Sequence, residues 1–171
     1  MTWMSIQQPL WGGISVHGFS PFFFHDEKKV CGREWAEMVR AGELKVGLRL
    51  LSPSWTHGPW TIVCDSESFL HSKGCAAAHR RASIHLWHIP ARSPDLNPIE
   101  KFWSWLRRRL RALDLQDYIA KRPPLGKTAY KHRIRLIARP DKAKEVARNV
   151  VNGLFKVCAE VSRKRGASSR G

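Results

Sequence analysis

The stretch "SPDLNPIEKFWSWLRRRL" (residues 93–110) starts a helix and gives it chemically different sides. Asn97 suits the N-cap, Pro98 the first helical position, and Glu100 the third, where a carboxylate can reach back to the cap N–H and complement the helix dipole. Ile99, Phe102, Trp103, Leu106, Leu110 and Leu113 then fall on one stripe. That pattern predicts an amphipathic helix from Asn97 to about Leu113 with the stripe packed on a sheet. At about 100° per residue, Arg107 and Arg111 project close to Glu100. A carboxylate at a helix start therefore shares a face with guanidinium groups, which capping alone does not require.

Upstream of that helix, "WTIVCD" (60–65) is a β-branched run that ends in a carboxylate and is followed by the polar "SES". A buried strand delivers an acid to a sheet edge in this way, so Asp65 is placed at a strand's C-terminal end. Residues 69–82 favour helix, and "IHLWHIP" (84–90) reads as a second short strand stopped by Pro90. Before them, "LWGGISVHGFSPFFFH" (10–25) predicts a hairpin turning at His17-Gly18, with Gly12-Gly13 marking a bulge or a close backbone approach. A short amphipathic helix is expected from Gly32 to Leu44, then a loop at Pro53, Gly58 and Pro59. Strand, helix, strand and long helix in that order predict an α/β sheet flanked by helices.

The 171 residues carry 30 Lys+Arg against 14 Asp+Glu, a formal net charge of +16, which calls for a polyanionic partner. Residues 1–90 hold 9 basic and 7 acidic side chains, and residues 91–171 hold 21 and 7, so the second half meets that partner. After Pro123-Pro124, a basic segment (128–140) leads to a helix expected over 141–163, with Ala143, Val146, Ala147, Val150, Leu154, Val157, Cys158 and Val161 on its apolar face. The basic, Gly/Ser-rich residues 164–171 read as a disordered tail. No stretch approaches the length of a membrane span, and no secretory leader is visible. The chain is expected to be soluble and intracellular.

Four cysteines without a CxxC pair fit buried thiols better than a disulfide framework. Cys75, His79, His85 and His88 are the nearest approach to a metal cluster, but their spacing matches no common zinc pattern.

"ARSPDLNPIEKFW" (91–103) resembles the signature at the third acidic residue of the Tc-one/mariner superfamily of DDE transposases. "LWGGIS" with "HG" (10–18) is similar to that family's W-G-G-I-S strand and turn, and "VCDSES" followed by His71 resembles its Q-D-N strand end. Between Asp65 and Glu100 lie 34 residues, the interval of one large branch of the superfamily. The resemblance covers roughly residues 9–113. It implies an RNase H-like fold, Asp65 and Glu100 as the second and third catalytic, metal-ligating acids, and Mg²⁺ or Mn²⁺ as cofactor. DNA is the implied partner, and the nucleus the implied location in a eukaryotic cell, the cytoplasm otherwise. No small-molecule substrate is implied, and a homodimer is compatible with it.

Two divalent ions about 3.5 to 4 Å apart promote in-line displacement at phosphorus, and Mg²⁺ prefers hard oxygen ligands, so carboxylates distant in sequence can converge to do this work. The family's first acid lies on a strand well upstream of W-G-G-I-S, whereas this chain begins ten residues before Trp11. The expectation is an N-terminally truncated RNase H-like domain over 1–113, with a basic helical extension over 114–163. Asp26 is the weaker candidate for a substitute acid, its other reading being a solvated turn residue. Ser66 stands where the family usually has asparagine, and His71 is displaced by one residue.

Two functions follow. The chain is a metal-dependent transposase or endonuclease domain that cuts and joins DNA if its set of acids is complete, or a non-catalytic nucleic-acid-binding relic or repurposed protein that lacks the first acid and keeps the fold and the charge. Arg107, Arg108, Arg111, Lys131, Arg133 and Arg135, with Arg109 and Arg139, are expected to touch phosphates, without sequence specificity. Trp103 reads as core; Trp105 is left open between packing and base stacking.

Overall fold

The computed structural model describes residues 10–24, 30–55, 57–90, 93–139 and 141–164. Its first elements are four short strands, β1 (Leu10–Trp11), β2 (Ile14–Ser15), β3 (Gly18–Phe19) and β4 (Phe23–Phe24), folded as one antiparallel hairpin. β1 pairs with β4 as Leu10↔Phe24 and Trp11↔Phe23, while β2 pairs with β3 as Ile14↔Phe19 and Ser15↔Gly18. The register slips by one residue between the two pairs, at Gly12 on one strand and Pro21-Phe22 on the other. That is a bulge, held by Ser20 N–H donating to Gly13 C=O at 2.8 Å and Gly13 N–H to Ser20 Oγ at 2.8 Å. A Cβ on Gly12 would lie 3.1 Å from the Phe22 ring and 3.3 Å from Trp103, so the close approach read from the glycine pair is real. The two residues of the turn are Val16 and His17. Gly18 belongs to β3, at a φ of +132° that favours glycine.

The single helix expected over 32–44 is two: α1 (Gly32–Arg40) and α2 (Glu43–Leu51). Gly42, in the left-handed region at φ +81°, breaks the run between them. Trp35, Val39, Leu44 and Leu48 from this pair are buried against Leu70, Cys75, Ala78 and Ile84 in the larger of two cores.

Next, β5 (Trp60–Cys64) and β6 (Ile84–His88) pair in parallel, from Trp60↔Ile84 to Cys64↔His88. Parallel neighbours need a crossover, and α3 (Lys73–Ala82) supplies it. The expected helix over 69–82 is shortened at its start. A 3-10 turn occupies Ser68–His71, and Ser72 then caps α3 by accepting from the Cys75 N–H at 3.3 Å.

The long helix α4 (Pro98–Ile119) starts where the sequence placed it but runs six residues beyond Leu113, so the expected boundary at 113 falls inside it. Phe102, Leu106 and Leu110 are buried along its apolar stripe. Leu106 and Leu110 form the second core with Ile134 of α5 (Lys127–Ala138) and with Phe22 and Phe24 of the hairpin, and a further helix, α6 (Asp141–Arg163), also packs along α4. On α6 only Ala143 and Ala147 are fully buried, and the expected apolar face becomes progressively more open towards Cys158. Of the predicted tail, residues 165–171 lie outside the described residues. None of the described helices is long and apolar enough to cross a membrane.

Candidate active site

The loops that leave β5 and β6 run together at the carboxyl ends of the two parallel strands, the place where open α/β sheets bind ligands. Ile89 N–H donates to Cys64 C=O at 2.9 Å, and Ser66 Oγ to Ile89 C=O at 3.4 Å. The chain then passes through a 3-10 turn at Pro94–Leu96 into α4. This path brings Asp65, Ser66, Glu67, Asn97 and Glu100 around one open cleft of about 360 Å³. The strand end and the helix start singled out in the sequence thus form opposite parts of one site.

Glu100 is not spent on capping. Asn97 makes no side-chain cap hydrogen bond, and the first contact of the turn is backbone, Glu100 N–H to Asn97 C=O at 3.2 Å. The Glu100 carboxylate instead faces Arg107, 3.9 Å away, with both side chains about half exposed. A pair that open is worth at most about 1 kcal/mol, so it orients the carboxylate without sequestering it.

Asp65 is steadied through its backbone. With its proton on Nδ1, His88 donates to the Asp65 carbonyl at 3.3 Å; the same nitrogen lies 3.6 Å from Cys64 Sγ. The His88 ring packs on His71 with centroids 4.5 Å apart, so the histidine downstream of Asp65 supports the same turn. Burial, with the Asp65 charge adding to it, pushes the Cys64 thiol up to about 11, which keeps it protonated beside the cleft.

The described lining of the cleft offers carboxylate, hydroxyl, amide and carbonyl oxygens and no thiol or imidazole, a donor set that fits Mg²⁺ or Mn²⁺. Among the described residues no three His, Cys, Asp or Glu side chains converge closely enough to hold a metal ion. Glu67, which the sequence reading passed over, is a third carboxylate on the cleft wall; its signal was its place two residues after Asp65. Asp26 lies outside the described residues.

The zinc grouping is taken apart by the fold. His79 accepts the Trp35 indole N–H at 2.7 Å in the larger core, and Cys75 donates to Gly32 C=O at 3.1 Å.

The basic residues separate into several groups. Arg107, Arg108 and Arg111 are exposed along α4, and Arg135 is exposed on α5 with its guanidinium 4.6 Å from the Phe24 ring centre. Lys131, half-buried, lies 5.8 Å from the same ring. Arg133 is a correction. One guanidinium nitrogen bonds Asp114 at 2.8 Å and the other bonds Asp117, so the side chain clamps α5 onto α4 instead of facing solvent. Trp105, left open by the sequence, packs on Phe102 with centroids 5.6 Å apart.

A family profile described as "DDE superfamily endonuclease" matches residues 10–120, well over half of the chain. The chain is 39% identical over 54 residues to the Transposable element Tcb1 transposase of Caenorhabditis briggsae, a match covering 32% of this chain and 20% of that protein. It is 32% identical over 75 residues to the Transposable element Tc1 transposase of Caenorhabditis elegans, covering 39% of this chain and 28% of that protein. The chain thus matches between 20% and 28% of these relatives' lengths. Among solved structures it is similar to the Mos1 transposase catalytic domain, determined with raltegravir and Mn, at a TM-score of 0.62 and 11% identity, over 94% of this chain and 82% of that one. The fold is RNase H-like, and the chain belongs to the DDE superfamily endonucleases.

Proposed function

We propose that this chain is the DNA-cutting core of a Tc1/mariner-type transposase, with Asp65 and Glu100 as ligands for Mg²⁺ or Mn²⁺. The observation that carries this reading is the meeting of Asp65 and Glu100, with 34 residues between them, in one oxygen-lined cleft at the carboxyl ends of β5 and β6. A bound divalent ion supplies activation of the attacking oxygen and stabilisation of the leaving one. The protein's own part is placement. Asp65 is fixed by a strand end and the His88 contact, and Glu100 by the first turn of a 22-residue helix. Arg107, Arg108, Arg111, Lys131 and Arg135 hold the phosphodiester backbone, while Arg133 is committed to Asp114 and Asp117. In a eukaryotic cell this work belongs in the nucleus, and a homodimer suits a reaction with two DNA ends.

Two carboxylates hold Mg²⁺ loosely, and the family resemblance implies a further acid on an additional strand. Among the described residues β5 pairs only with β6, although parallel strands are normally buried within a larger sheet. A groove of about 430 Å³ runs along β5, walled by Trp11 to Ser15 of the hairpin and floored by Val151 and Leu154 of α6, and it reaches Asp65. An extended strand lying in it would end beside Asp65, where the remaining acid belongs.

The opposing reading, binding without cleavage, is favoured by Arg107, which gives Glu100 a partner that is not a metal. Nicking of supercoiled DNA in Mg²⁺ or Mn²⁺ separates the two. The endonuclease reading expects nicking that disappears in both Asp65→Asn and Glu100→Gln. Salt-sensitive binding that persists in both variants, with no nicking at any metal concentration, leaves only the binding role.

A further inference from the structure

A second cleft, of about 690 Å³, shares no lining residue with the acidic one. It opens between the hairpin, α5 and α6. Arg135 and Arg139 line it from α5, and Lys144 and Arg148 from α6. Each pair is spaced i, i+4, which puts both members on one side of their helix, and all four are exposed. No carboxylate lines this cleft; Asp141, 3.7 Å from Lys144 and fully exposed, offsets little of the charge.

The walls are built tightly. Ala143 and Ala147 are completely buried, which lets α6 close onto the hairpin, and a Cβ on Gly18 would touch the Lys144 stem at 3.5 Å. Phe19 also lines the cleft, stacked between Phe22 and Phe102, each at 5.6 Å. Like charges gathered around one open cleft, with the Arg135 guanidinium at its edge beside Phe24, attract a polyanion. Three of the four are arginines, whose planar forks match phosphate oxygens, and the aromatic wall offers apolar surface to sugars and bases. A single small anion would leave most of a cleft this large empty, whereas a run of linked phosphates fills it.

We infer that this cleft is a second DNA site, in which Arg135, Arg139, Lys144 and Arg148 grip the phosphodiester backbone away from the acidic cleft. The inference rests on the proposed DNA-acting role and adds to it a holding site built largely from helices beyond residue 120. Arg139 and Arg148 are exposed and form no ion pair or ring contact among the described residues, which suits them to substitution.

The test is duplex DNA affinity measured against salt in EDTA, so that the outcome is independent of cleavage. The full chain is compared with Arg139→Gln/Arg148→Gln and with Lys156→Gln/Arg163→Gln, which removes the same charge from exposed positions outside the cleft. Each phosphate contact contributes about 0.9 to the slope of log affinity on log salt, so the cleft variant is expected to lose about 2 from its slope. The control is expected to keep the full slope. Arg148→Gln alone, expected to lose about 1, replaces the double variant if circular dichroism shows that one to be unfolded. An equal loss in the control, or an unchanged slope in a folded cleft variant, overturns the cleft assignment. A loss confined to RNA binding overturns it in favour of an RNA site. Absence of salt-dependent DNA binding in the unsubstituted chain sinks the DNA-acting reading itself.

Discussion

Arg133 of α5 holds Asp117 of α4 in a partly buried ion pair, with Asp114 on its second nitrogen and Arg122 on the far side of Asp117 at 2.9 Å. The hydrogen bond from Arg133 is the largest influence keeping Asp117 below its ordinary value of 3.8. A carboxylate with a depressed folded-state value stabilises the fold above its unfolded value, and that contribution is lost as pH falls through the folded value. Asp117→Asn is therefore expected to lower the melting temperature at pH 7, and by less in acid as pH falls below 3.8. Melting curves of both proteins across that range check it; an equal deficit at both ends would mean that charge plays no part in the clamp.

A second acid-sensitive window lies higher. His79 is held below its ordinary value of 6.5 mainly by burial, and its Nε2 accepts the Trp35 indole proton, so the folded core needs it neutral. Its stabilising contribution is present above about pH 6.5 and declines as pH falls below that. Denaturant titrations at pH 7 and pH 5 are expected to show the unsubstituted chain losing stability over this interval and His79→Gln losing less. The same loss in both would place the sensitive group elsewhere.

Phe102 carries the α4 contact with the hairpin. It is fully buried, stacked on Phe19, and edge-on to Trp103 at 5.5 Å. Phe102→Ala is expected to cost about 3 to 5 kcal/mol. For a domain of this size that corresponds to a fall of roughly 10 °C in melting temperature. A calorimetric scan measures it, and a fall of only a degree or two would show that α4 is anchored by other contacts.

Much of the site was legible because it rests on local rules. A β-branched run ending in Asp65 and an Asn-Pro start before Glu100 each fix a position along the chain, and the alternation of elements brings the two positions to one end of a sheet. The helix break at Gly42 was hidden because Leu44 and Leu48 continue the apolar spacing of Trp35 and Val39. Where α4 stops was hidden for a related reason. Its last turns carry Leu115, Tyr118 and Ile119 in the open, so hydrophobic periodicity no longer marks the core. Arg133 was misread because a guanidinium that pairs across two helices looks, in sequence, like its exposed neighbours. The basic cleft depends on how α5 and α6 meet the hairpin, and no single segment encodes that.

The proposed joint hold of Asp65 and Glu100 on a divalent ion can be read by loading the protein with Fe²⁺ and letting ascorbate and peroxide cut the backbone where the metal sits. Cleavage is expected near residues 65 and 100, suppressed by excess Mg²⁺ and lost in Glu100→Gln. Cuts confined to other positions, or cuts at these two that persist in Glu100→Gln, would contradict it.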